Sequence, residues 1–207
     1  MKPLILVLLF IMFITIAACS SNQNGNGKSP VENSVSGRTN NEVVAKVGDR
    51  TITSDDIQYN LIRTDILFTI KGIQNNGPDT NTKETALTEF IRLIAIEELA
   101  KAKGITVTEE ERNSRIEKLK TDLGALDIFN EKVADYGKNK FWEKETNRYS
   151  AIIQTEKLLN ELIKKAQKEN PNQVDKELQF NAKKDLEQLI FQQTKELEIQ
   201  RFNEQNR

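Results

Sequence analysis

The apolar positions of this chain change period several times, and each change marks an element. Val43, Ala45 and Val47 alternate with polar residues, Gly48-Asp49 supplies a two-residue turn, and Thr51-Ile52-Thr53 resumes the extended pattern. Alternation on both sides of a Gly-Asp pair predicts a small β-hairpin. Thr53 offers an N-cap, and from there the period lengthens. Asp56 follows as an acidic first-turn residue, and Ile57, Leu61, Ile66 and Leu67 predict a first helix that runs out between Gly72 and Gly77-Pro78. Asn81 with Glu84 predicts the start of a second helix. Leu87, Phe90, Ile91 and Ile94 form one of its stripes and Leu93, Ile96 and Leu99 another, as in a helix central to a core. Gly104 then stands where a C-terminal cap belongs, Ile105 supplies the accompanying apolar contact, and Thr108 with Glu111 forms a capping box. That spacing predicts a sharp helix–turn–helix over 100–112.

A shorter third helix leads to a loop-rich stretch near Gly124 to Gly137, and a long helix runs from about Phe141 to Lys168. Its stripe reads Tyr149, Ile152, Glu156, Leu159, Ile163 and Ala166, and Asn170-Pro171 ends it. One last helix is predicted over roughly Gln173 to Gln205. At 100° per residue, Leu178, Ala182, Leu186, Leu189, Ile190 and Leu197 fall within about 120° of one another and make a face to bury. Phe180, Phe191 and Phe202 recur every eleven residues, three turns plus about 20°, and line a second stripe roughly 160° from the first. Two arrangements satisfy such a helix: the row packs between helices of its own domain, or it contacts a client polypeptide or a second subunit. Phe141 and Trp142 admit the same two readings, core packing or a client-contacting aromatic pair. The pattern as a whole predicts a mainly α fold, with a small N-terminal β-hairpin followed by a multi-helix domain over 43–207 that closes on long helices.

The N-terminal part follows different rules. Lys2 gives a positive start, Leu4 to Ile16 is apolar except for Thr15, and small residues precede Cys19. This reads as a signal peptide over 1–18. Thirteen residues at a 1.5 Å rise span about 20 Å, short of the roughly 30 Å hydrocarbon core, which makes a transmembrane helix the weaker reading. Ile16-Ala17-Ala18-Cys19 resembles the lipobox of bacterial lipoproteins, whose cysteine is acylated and becomes the mature N-terminus; the other reading is a chance thiol in an ordinary secretory signal. A lipid on Cys19 would anchor the chain to the membrane without inserting protein, at about 0.8 kcal/mol for each buried CH₂. Ser20 to Asn41 carries only Val31 and Val35 as sizeable apolar residues. Such a segment cannot bury enough surface to offset its ordering entropy, so 19–42 reads as the lipidated cysteine and a tether of about 25 Å root-mean-square reach.

Composition then narrows the chemistry. The 207 residues hold 30 Lys+Arg, 31 Asp+Glu, one Cys and no His. A Ser-His-Asp or Cys-His relay and a His/Cys zinc site are therefore excluded, and the single thiol leaves no internal disulfide. A formal charge of −1 gives no bulk basic field for nucleic acid. Removing 1–18 takes away one basic residue, Lys2, and moves the charge to −2. Lys/Glu/Gln runs along 156–169 and 183–200 read as solvated helix faces.

Three stretches, in order, carry a resemblance to a known family. Val44 through Ile57 resembles the hairpin-to-helix opening of the SurA/PrsA-type extracytoplasmic chaperones. Phe90 through Glu111, including Ala100-Lys101-Ala102-Lys103-Gly104-Ile105-Thr106-Val107-Thr108, is similar to the helix–Gly–helix segment that follows there, and Tyr136-Gly137 leading to Phe141-Trp142 resembles the next helix start. The similarity covers roughly Val43 to Lys165. The resemblance implies a SurA N-terminal-like helical module that binds unfolded exported proteins. In that family a parvulin-type prolyl isomerase domain is commonly inserted before a closing helix. Here no Gly follows Gly137 and His is absent, so the resemblance implies the chaperone module without the isomerase, and no enzyme.

The expected function is thus a lipid-anchored, ATP-independent holdase or foldase-like chaperone on the outer face of a cell membrane, without a cofactor beyond the lipid on Cys19. Its partners would be unfolded or partly folded exported polypeptides and the membrane, with no nucleic acid; self-association stays open. No Walker A pattern occurs, in agreement with ATP independence. The competing expectation is an adaptor lipoprotein that uses its C-terminal helices for one dedicated partner. Abundant Asn, Lys and Ile suggest a single-membrane bacterium as host.

Overall fold

The computed structural model describes residues 42–72 and 82–202. The segment read as a signal peptide, Cys19 and the stretch read as a tether, up to residue 41, lie outside the described residues. Six helices and three strands follow one another within them, and the fold is mainly α with a small sheet, as the pattern predicts.

Strands β1 (Val43–Val47) and β2 (Arg50–Thr53) form the hairpin, with Val47 opposite Arg50 across the Gly48-Asp49 turn. Gly48 sits at φ 55°, where a side chain would be strained. Helix α1 (Ser54–Ile70) follows without a loop because Thr53 caps it: Asp56 N–H donates to Thr53 Oγ1 at 3.3 Å, and Thr53 N–H donates to Asp56 Oδ2 at 2.8 Å. Helix α2 (Lys83–Ala102) is capped by Thr82 with Thr85, one residue later than the Asn81–Glu84 spacing predicts. Its capping box runs through two hydroxyls, with Thr85 N–H donating to Thr82 Oγ1 at 3.2 Å. Ala86, Leu87, Ile91, Ala95, Ile96 and Leu99 are all buried, so apolar residues surround α2 as expected of a central helix.

The turn at Gly104 is as read. Ile105 N–H donates to Ala100 O at 2.9 Å and Gly104 N–H to Lys101 O at 3.0 Å, the paired bonds of a Schellman ending. Helix α3 (Glu109–Gly124) starts with its Thr108–Glu111 box intact.

The stretch from Gly124 to Gly137 is more ordered than its sequence suggests. It holds a short helix, α4 (Asp127–Val133), pinned by buried Phe129 and Val133. Two anchors one turn apart are too few to show a period, which hides the helix from pattern reading. Helix α5 (Lys138–Glu169) is 32 residues long. The predicted stripe at Tyr149, Ile152, Leu159 and Ile163 is half-buried, while Ala151, Ile153 and Leu158 are the buried positions. Helices α2, α3 and α6 all pack on α5, so its apolar side chains are divided among several neighbours.

Helix α6 (Asp175–Glu196) buries Leu178, Ala182, Leu186 and Ile190, as its aliphatic face predicts. It does not reach Gln205. Leu197 turns extended at ψ 131°, and β3 (Ile199–Arg201) pairs antiparallel with β1, giving the sheet order β2-β1-β3. Two of the apolar clusters among the described residues lie around α1. One joins the core face of the sheet, Ala45, Val47 and Ile52, to α1 and α2. The other gathers Tyr59, Phe129, Phe141 and Trp142 between α1, α4 and α5.

Candidate functional site

The two readings of the phenylalanine row separate once α6 is in place. Its aliphatic face packs against α2 and α5. A bidentate ion pair from Arg92 to Glu187, with both N···O distances 2.7 Å, adds to the attachment. The opposite side carries Phe180, 68% exposed, and Phe191, 60% exposed. Eleven residues place them about 16.5 Å apart along the axis and about 20° apart around it. The sandwiched arrangement is therefore not what forms, and these two rings face outward. Lys195 Nζ lies 4.3 Å from the Phe191 ring centroid, a cation–π contact that leaves most of the ring open.

Phe202 does not belong to this row. It follows β3, and its N–H donates to Val44 O at 2.9 Å. It is 47% exposed, at the end of the sheet. The eleven-residue spacing carries no meaning across the break at Leu197, because the helical rotation stops there. Phe141 and Trp142 also fail as surface candidates. They are 1% and 8% exposed and meet edge to face at 5.5 Å and 86°, with Phe129 5.4 Å from Phe141. Of the two readings of this pair, core packing is the one that forms.

Beside the helices lies a cleft of about 1000 Å³ bordered by the β1–β2 turn, α2, α5 and the end of α6. Sequence reasoning missed it, since its lining is polar. Asn147, Ser150 and Gln154 from α5 meet Gln193 from α6, and Asp49, Glu97, Glu98, Glu196 and Glu198 stand against Arg50 and Lys101. Five carboxylates against two cations make the lining acidic. Arg50 pairs with Glu97 across the mouth. Desolvation nonetheless raises the Glu97 carboxyl above its ordinary value, and neighbouring Glu98 adds to the rise against the lowering by Arg50.

The most buried charge is elsewhere. Glu145 is 2% exposed on α5 and accepts a hydrogen bond from the Tyr59 hydroxyl. It also accepts from Arg63 Nε at 3.1 and 3.2 Å. Burial pushes the Tyr59 hydroxyl well up, reinforced by the Glu145 charge. A carboxylate held by these donors within a packed aromatic cluster has no access to substrate, so its place is structural, tying α1 to α5. Its signal in the sequence is a Glu one turn after Phe141, on the apolar side of the helix. At the start of α1, Lys144 Nζ lies 2.6 Å from Asp56 and 3.2 Å from Asp55. Burial alone would raise Asp56; the bonds from Lys144 and Thr53 outweigh it and hold the carboxyl below its ordinary value.

Among the described residues no group of three or more His, Cys, Asp or Glu is arranged to hold a metal ion, and no helix is long and apolar enough to cross a membrane. Comparison with protein-family models and with curated proteins returns no match for this chain.

Proposed function

We propose that this chain is a membrane-tethered, ATP-independent chaperone that binds unfolded exported polypeptides. The observation that carries the reading is the pair of outward-facing rings, Phe180 and Phe191, on a helix already anchored by its other face. Apolar surface held open on a rigid support is what a holdase needs, and charged residues beside it, such as Lys184 and Lys195, keep such a surface soluble. Binding of this kind requires no catalytic group. It delays aggregation by covering apolar segments transiently, in competition with the client's own folding. The lipobox-like segment ending in Cys19 supports attachment by acylation on the outer side of the cell membrane, with the tether giving the domain reach. The sequence resemblance to the SurA/PrsA-type module, without its isomerase, supports the same assignment.

The test is light scattering from a chemically unfolded, aggregating protein mixed with the full chain held in lipid nanodiscs. Suppression that grows with chain concentration and is strong near equimolar ratio is the expected result. No suppression by a chain shown to be folded by circular dichroism would refute the reading. Capture of a single folded partner with a saturating stoichiometry would put the adaptor function in its place.

A further inference from the structure

The sheet has two edges, and they differ. Gly48 N–H donates to Glu198 O and Phe202 N–H donates to Val44 O, each at 2.9 Å, and between them Lys46 stands opposite Gln200. This register turns the main-chain groups of Glu198, Gln200 and Phe202 toward β1. In an antiparallel ladder the alternate residues face the other way, so the N–H and C=O of Ile199 and Arg201 point away from β1, on a side of β3 that pairs with no other strand among the described residues. On the other edge, Lys46 is committed to β3, which leaves Thr51 and Thr53 of β2 facing outward; there Thr53 N–H is already taken by Asp56. Natural edges are commonly defended by proline, a bulge or a free charge. β3 has no proline, its pairing with β1 runs in unbroken register, and its one cation, Arg201, is held by Glu84 at 2.6 Å.

A second feature lies on the same strand. Ala45 and Val47 are buried, so the odd positions of β1 and their partners Arg201 and Ile199 share the core face. Lys46, Gln200 and Phe202 occupy the opposite, exposed face. A strand laid along β3 would set every second side chain on that face, one of them beside the Phe202 ring.

We infer that the outer edge of β3 accepts an extended, apolar segment of an unfolded polypeptide as a fourth strand. The main-chain groups of Ile199 and Arg201 bind its backbone, and Phe202 favours an apolar residue alongside. This deepens the chaperone reading and rests on it, since it supplies a recognition element indifferent to client sequence. With two outward residues the contact is short, which suits rapid release. A second copy is a poorer occupant: pairing two β3 strands about Gln200 would set the Glu198 carboxylate of one against the Phe202 ring of the other.

The experiment uses the full chain in nanodiscs and an acetylated eight-residue peptide alternating Val and Thr, with the same peptide N-methylated at its four central residues as the paired probe. The expected result is that the plain peptide slows amide exchange over residues 197–202 and that the methylated one does not. Arg201→Pro, which removes an outward N–H and no bond to β1, should weaken peptide binding on the order of tenfold, while Arg201→Ala should retain it. Equal affinity for the two peptides overturns the inference whether or not the proline variant folds. Protection over 197–202 that rises with chain concentration alone, together with dimers in sedimentation, overturns it in favour of a second copy. If the chain suppresses aggregation but does not discriminate the peptides, the edge fails and the chaperone reading stands. Discrimination without suppression of aggregation supports the edge and removes the chaperone reading.

Discussion

Replacing Phe180 and Phe191 together with Ser should separate binding from stability. Phe180 and Phe191 are 68% and 60% exposed, so only about a third of each is covered by the fold. Full burial of a phenylalanine stabilises by roughly 1.5–3 kcal/mol, and a third of that is about 0.5–1 kcal/mol per ring. The double variant should therefore lose about 1–2 kcal/mol. At roughly 2–4 °C per kcal/mol for a chain of this size, that is a fall of about 2–8 °C in Tm by circular dichroism. Client binding should suffer more, because a partner covers the open two thirds of both rings. Anisotropy of a labelled, permanently unfolded polypeptide should show Kd weakened on the order of tenfold or more, with suppression of aggregation lost in parallel. Phe141→Ser serves as the contrast: a core ring costs about 3–5 kcal/mol and should lower Tm far more. If the double variant melts like the Phe141 variant, the two rings are structural. If it melts as calculated and binds normally, the outward face of α6 is not where clients sit.

Three further outcomes follow from other parts of the molecule. Glu145→Leu leaves Arg63, only 11% exposed, without its hydrogen-bonded counter-charge and should cost about 3–5 kcal/mol in urea unfolding, whereas Tyr59→Phe, which removes one hydrogen bond, should cost about 1–3 kcal/mol. Burial raises Glu89, but Arg148 outweighs it, so Glu89 and Asp56 both have carboxyls held below their ordinary values. Their contribution is complete above the unfolded values near 4 and lost as pH falls through the folded ones. Glu97 is raised and has the opposite sign, contributing stability below its unfolded value that is lost as pH rises. Acid should therefore destabilise the chain, and Glu97→Gln should steepen the loss in urea midpoints measured from pH 6 to 3. Cys19→Ala should release the chain from the membrane fraction or leave it unprocessed; unchanged acylation would refute the lipoprotein reading.

What could be read from the sequence divides by the range of the interactions involved. The hairpin, the Thr53 N-cap, the Thr108–Glu111 box and the Gly104 ending all join residues within a few positions of one another, and each forms as read. The β1–β3 pairing joins Ala45 to Arg201. Nothing near Ile199 announces it, and local periodicity carried the last helix straight through Leu197. The same limit hid the cleft, whose polar lining comes from the hairpin turn and three helices with no pattern linking them. The role of Glu145 is illegible for a related reason, because its partners Tyr59 and Arg63 lie on another helix.

The ending of α6 also bears on how the chain can hold aromatic rings in water. A helix that depended on Phe180 and Phe191 for its position would bury them, and one held at a single end would be free to rotate them inward. Here Leu178, Ala182, Leu186 and Ile190 fix the rotation along its length, the Arg92–Glu187 pair fixes its register against α2, and β3 ties its exit to the sheet. The rings are left outside by attachments made elsewhere on α6, so they can be spent on a partner without loosening the fold. The same exit strand that prevents α6 from turning places Phe202 and the open edge of β3 on the sheet. Of the two surfaces proposed to meet a client, the edge depends on this strand and the rings chiefly on the buried face of α6, so disrupting the β1–β3 pairing should weaken the first more than the second.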